Sequence, residues 1–218
     1  MSMSTLVVLW GTILATVALV LYRRLGLARR MDGLLRDSGL AFSTAIELRF
    51  PELAGSTQEV LQLALRTADA LGLPRKAKVN LEVAVCFSDI GLCEVPFRHL
   101  NSTELWNLST SQRLRSLRHP VVGAAMLEQI PSLRRLAAIV RSHHTPYQYG
   151  RERLPLESRV IAACAFYERL SRSESAATAL SRLARLSGTR FDPRVVKALQ
   201  TVLTSPRGAR CSEPVWHA

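Results

Sequence analysis

Five histidines occur in the 218 residues, and three of them, His119, His143 and His144, fall where helices are expected to meet, with Asp89 at a fourth joint. Imidazole and carboxylate groups arriving from several helices are how a helical bundle assembles a metal centre. Each position also has a plainer role open to it. Asp89, followed by Ile90-Gly91, suits a helix-end turn, and His119-Pro120 suits a cap before the next helix. The His143-His144 pair suits a helix C-terminus, where positive charge offsets the dipole. No serine or cysteine lies in a strand-to-helix elbow or beside a paired base, which disfavours a covalent hydrolase. The four cysteines, Cys86, Cys93, Cys164 and Cys211, form neither a CxxC pair nor a regular framework, so reduced thiols in a cytosolic compartment are expected.

The elements that must position these groups are helices. Between 58 and 72 the residues Val60, Leu61, Leu63, Ala64, Leu65, Ala68 and Leu71 recur at helical spacing, and Gly72 closes the stretch. The same reasoning predicts helices over about 76–87, 103–117, 121–129, 133–143, 156–171, 174–186 and 193–203, and no stretch alternates as a strand. Pro74, Pro96, Pro120, Pro131, Pro146, Pro155 and Pro193 are expected at the joints, where proline at or before a first helical turn is tolerated. The expected fold class is all-α: a compact bundle over 45–205, preceded by one N-terminal transmembrane helix over 1–22 and a basic juxtamembrane linker over 23–44. A flexible tail is expected over 206–218.

The membrane expectation rests on the order of charge and apolarity. Residues 1–22 carry no charged side chain, and 22 helical residues span roughly 33 Å, enough for a bilayer core. Arg23, Arg24, Arg29 and Arg30 follow the apolar run, whereas a cleaved signal peptide places its basic residues before it. A retained single-pass anchor in the inner (cytoplasmic) membrane is therefore expected, with the C-terminal domain in the cytoplasm. Anionic lipid headgroups would reinforce that orientation by about 1 kcal/mol per nearby arginine. The formal charge of +12 comes from 29 Lys+Arg against 17 Asp+Glu, yet it is spread without a polybasic run or interleaved aromatics, so no nucleic-acid partner is expected.

Five short motifs occur in a fixed order: Cys86-Phe87-Ser88-Asp89-Ile90-Gly91, Arg118-His119-Pro120-Val121-Val122-Gly123-Ala124, Arg141-Ser142-His143-His144, Leu154-Pro155-Leu156-Glu157-Ser158-Arg159-Val160-Ile161-Ala162 and Phe191-Asp192-Pro193-Arg194-Val195-Val196. Together they resemble the HD-GYP branch of the HD-domain phosphohydrolases over about 56–203. The resemblance implies an HD-domain-like helical bundle and two or three metal ions, commonly iron or manganese. It also implies hydrolysis of cyclic diguanylate by a metal-held hydroxide. Asp89 matches the bridging aspartate, His119 the histidine of the HPxxGA motif, and His143 and His144 the paired histidines, with Glu52 a weaker match to a glutamate ligand.

The departures fall at ligand positions. Ser56 stands where the first histidine is expected, Ser88 replaces the histidine of the HD pair, and Ala165 replaces a late aspartate. Leu92 occupies the place of a phosphate-binding lysine, Glu168 that of a further aspartate, and only Tyr147-Gln148-Tyr149-Gly150 remains of the Gly-Tyr-Pro loop. A hydroxyl is a poor donor to a divalent ion and a methyl offers none, so a full binuclear centre is not expected. The leading expectation is a membrane-anchored, catalytically inactive HD-GYP-like signalling or interaction module, with no metal or a weakly bound iron or manganese ion and a signalling protein as partner. The alternative is a metal-dependent phosphohydrolase acting on cyclic diguanylate or another nucleotide.

Overall fold

The computed structural model describes residues 3–94 and 110–205, apart from the side chains of 28 and 110–116. Nine α-helices are found among them: α1 (Met3–Arg49), α2 (Ser56–Ala70), α3 (Arg75–Phe87), α4 (Thr110–Glu128), α5 (Ala137–Ser142), α6 (Tyr147–Gly150), α7 (Leu156–Ser171), α8 (Ala176–Arg185) and α9 (Pro193–Thr204). Short 3-10 turns lie at Pro51–Leu53, Ile90–Glu94, Arg134–Leu136 and Arg151–Arg153, and there is no β-strand among the described residues. The chain divides into two units, Met1–Ser38 and Gly39–Ala218. Within the first, α1 is exposed along its apolar run and is long and apolar enough to cross a membrane by length and composition.

The second unit is built around α7, which packs against α2, α3, α5, α8 and α9. Its buried residues Val160, Ile161, Ala163, Cys164 and Tyr167 follow the helical repeat, and each fully buried aliphatic side chain contributes roughly 1.5–3 kcal/mol. Burial also pushes the Cys164 thiol up to about 12, so it stays protonated beside Thr67. On α2 the buried stripe is Val60, Leu61, Ala64, Thr67 and Ala68. That helix ends as Gly72 predicts. Gly72 adopts φ 67°, its N–H bonds to Asp69 O and Leu73 N–H to Ala68 O, each at 3.0 Å, so two terminal carbonyls are satisfied. Asp192 caps α9 by accepting from Arg194 N at 2.8 Å, and the same buried carboxylate pairs with Arg159 of α7.

Two close contacts position the turn after α3. A Cβ on Gly91 would stand 2.1 Å from His119 O and 2.7 Å from Gly123 N, so only glycine lets the turn backbone lie directly on α4. At the other side, a Cβ on Gly39 would stand 2.7 Å from Cys86 Cβ, and Ser43 Oγ lies 2.8 Å from Cys86 O. The last turns of α1 also supply Glu47, whose carboxylate accepts from Gly55 N and Thr57 N at 2.9 Å each and caps α2 from outside that helix.

Three expectations change. The 23–44 stretch, read as a linker, is helical within α1. The two helices expected over 103–117 and 121–129 are one helix where described, with Pro120 inside α4, so His119-Pro120 is no cap; 103–109 lies outside the described residues. Proline forfeits one helical hydrogen bond there, which the contact of the Gly91 turn with α4 accompanies. The stretch 133–143 is a 3-10 turn followed by the six-residue α5, because Leu133 N and Arg134 N both bond Ile130 O and tighten the entry. The expected tail, 206–218, lies outside the described residues.

Candidate functional site

α3 ends at Phe87, and Ser88 and Asp89 follow directly. Ser88 is buried and turns its hydroxyl back to donate to Val85 O at 2.9 Å. Asp89 is half-buried, with Oδ1 3.4 Å from His119 Nε2. From α4, His119 faces His143, the residue that follows α5, with their Nε2 atoms 3.4 Å apart. The rings of His143 and His144 stand 4.0 Å apart centre to centre, and those of His119 and His144 5.1 Å. One ring nitrogen from each of the three histidines lies within 4.8 Å of the others. Asp89, His119, His143 and His144, far apart in sequence, are thus brought together. Glu52 is not: it is exposed in the Pro51–Leu53 turn, and its neighbour Leu53 lines the cleft instead.

The imidazoles of His143 and His144 are held neutral. His143 Nδ1–H donates to Val140 O at 2.6 Å, which leaves the Nε2 lone pair facing the cluster, the tautomer a metal ligand needs. Burial, then the charge of His119, lowers His143 to about 4, against weaker opposition from Asp89 and the Val140 bond. His144, although an exposed residue overall, loses enough water around its ring that desolvation pushes it down, helped by His143, His119, Arg169 and Arg190. Neutral rings at ordinary pH do not serve the expectation of cationic caps at a helix C-terminus.

A cleft of about 430 Å³, counted with its open mouth, runs beside the cluster. Ser56, Ser88 and Ala165 line it together with Asp89, His143 and His144. The donors on one side suit a single divalent ion: three imidazole nitrogens and a nearby carboxylate, chemistry that fits iron or manganese. Among the described residues a second ion finds no comparable set. Ser56 Oγ donates to buried Glu168 at 2.8 Å, Ser88 is committed to Val85, and Ala165 ends in a methyl. Glu168 is itself clamped by Arg172, whose other nitrogens reach Glu52 O and Ala54 O at 3.4 and 2.9 Å. Leu92 is buried in an apolar cluster with Ile46 and Phe50 and brings no charge. Tyr147 N and Gln148 N bond to Arg190 O and Thr189 O at 3.0 and 2.8 Å, tying the short loop after His144 to the turn before α9.

Sequence reasoning missed two polar lining residues, Thr57 and Arg169. The signal for Arg169 was present, since it lies four residues after Ala165 and so on the same face of α7.

The family model described as "HD domain" matches residues 41–195. No curated protein matches the sequence. Among solved structures, a cyclic GMP-AMP-specific phosphodiesterase of V.cholerae, V-cGAP3, superposes with a TM-score of 0.63 at 16% identity. The match covers 80% of this chain and 50% of that one, so the chain spans about half the length of the V.cholerae protein and shares its fold. With the family matched across the residues that build the cleft, this chain belongs to the HD-domain family.

Proposed function

We propose that the protein is a membrane-anchored HD-domain module of the HD-GYP type that binds a ligand or partner without hydrolysing it. The observation that carries this reading is the company kept by Ser56, Ser88 and Ala165. They line the same cleft as Asp89, His143 and His144, so the non-ligating side chains stand at the site itself and not at a misaligned distance from it. Were an ion bound, His119, His143 and His144, with Asp89 beside them, would hold it, and it would supply Lewis-acid activation of water. This chain's own residues would orient the ligand and fix the Nε2 donor of His143 through Val140 O. The fold shared with a cyclic GMP-AMP phosphodiesterase makes cyclic dinucleotides the ligands to test first.

The order of the apolar run and the arginines supports an inner-membrane anchor with the domain in the cytoplasm, and a signalling protein is the natural reader of such a module. Protease added to spheroplasts should spare the domain; digestion from outside overturns the topology. A second reading, a single-metal phosphohydrolase, is favoured by the histidine cluster alone. Full-length protein in nanodiscs, incubated with manganese or iron and either cyclic diguanylate or cyclic GMP-AMP, decides between them. No linear product above the buffer control is expected, and metal-dependent turnover abolished by His143→Ala would establish the hydrolase.

A further inference from the structure

Four arginines of the second unit are matched to acids: Arg159 with Asp192, Arg172 with Glu168, Arg141 with Glu128 and Arg182 with Glu174. Arg169 is different. It lines the cleft, has no hydrogen-bond or ion-pair partner among the described residues, and projects enough field to act on both His143 and His144. It stands one helical turn beyond Ala165, so a wall with a methyl in place of a cation ligand carries a guanidinium beside it. That wall has the sign to receive an anion.

The donors can be sorted by what they already do. Ser56 gives its hydroxyl proton to Glu168 and Ser88 gives its own to Val85 O, so neither offers a proton to a ligand. Thr57 is half-buried in the cleft lining, and its hydroxyl makes no bond to the rest of the described protein. The carboxylate facing the cleft, Asp89, stands on the histidine side, 3.4 Å from His119. Glu168 is bound to Ser56 and Arg172 and does not line the cleft.

Resting on the non-hydrolytic reading above, we infer that Arg169 and the Thr57 hydroxyl form a metal-independent oxyanion subsite in the cleft for a phosphate group. A planar guanidinium suits it, because its N–H pairs can bind two phosphate oxygens at once. The phosphate can belong to free phosphate or to a nucleotide diester.

Full-length protein in nanodiscs, kept in excess chelator, is titrated with inorganic phosphate and, separately, with cyclic diguanylate. Saturable binding of at least one probe is expected, weakened tenfold or more in Arg169→Gln and partly recovered in Arg169→Lys, with a smaller loss in Thr57→Val. Arg185→Gln, which removes the same charge from an exposed position on α8, should bind as wild type and so exclude a general effect of the +12 charge. Tighter binding of the dinucleotide identifies a diester ligand, and tighter binding of phosphate identifies the free anion. No binding of either probe in chelator, or equal binding by Arg169→Gln and wild type, overturns the subsite and leaves the non-hydrolytic module standing. Turnover on adding manganese overturns that module, and with it the basis of this inference.

Discussion

The two walls of the cleft carry different chemistry. On the α4–α5 side, three imidazoles and a carboxylate from helices distant in sequence still converge, and one of the rings is locked in a ligand-ready tautomer by a backbone carbonyl. On the α2–α7 side, the positions that would complete a second ion site hold a serine bonded to Glu168, a methyl, and one turn on an unpaired arginine. A wall whose donors could hold a cation thus faces one that the proposal assigns to an anion. The contrast teaches that one fold can present different donors on two sides of a cleft, because each helix contributes its side chains independently.

The largest test converts the second wall into the first. Ser56→His, Ser88→His and Ala165→Asp together should cost about 1–3 kcal/mol per position in chelator, since each places a polar group in a packed region without its partner. Ser88 is the most buried of the three and should contribute most. Manganese should recover part of the loss, as an ion binding only the folded state stabilises it by about 2.7 kcal/mol at a hundred times its dissociation constant. Melting curves with and without manganese read this directly. A triple mutant that folds yet gains nothing from manganese would break the assignment of both walls to one site.

Next is the frame that holds α7 in place. Asp192→Ala removes the cap of α9 and leaves Arg159 buried without its carboxylate, and denaturant unfolding should show a loss of about 3–5 kcal/mol. A loss under 1 kcal/mol would mean that α7, and with it the second wall, is positioned by apolar packing alone.

The histidine wall has its own signature in pH. His143 falls from the usual 6.5 to about 4 in the folded chain, so the unfolded chain takes up a proton between those values while the folded chain does not. Its contribution is fully present above pH 6.5, is lost as pH falls, and levels off below about pH 4, a total of about 3 kcal/mol. Chemical denaturation in chelator from pH 7 to 4 measures it, with His143→Gln as the comparison that should flatten the slope. An unchanged slope in that variant would place the titration elsewhere.

How much of this was legible in the sequence depends on what decides each feature locally. α7 is found over its expected span because an apolar stripe and a preceding proline define it. Gly72 announced the end of α2 because a left-handed residue was needed there. The continuation of α4 through Pro120 was hidden, since local preference argues for a break and the contact of Gly91 with His119 O is not local. The convergence of Asp89 with the three histidines could be anticipated from their order and types. The role of Glu168, bound to Ser56 and Arg172, could not, because a bond between residues 112 apart in sequence is settled by packing among five helices.

Elemental analysis of the full-length protein, purified without added metal and dialysed, tests the central claim most directly. The asymmetric cleft predicts well below one tightly bound iron or manganese ion per chain. Two ions per chain surviving dialysis would contradict it, because the cleft would then be holding an ion with donors that Ser56, Ser88 and Ala165 do not have.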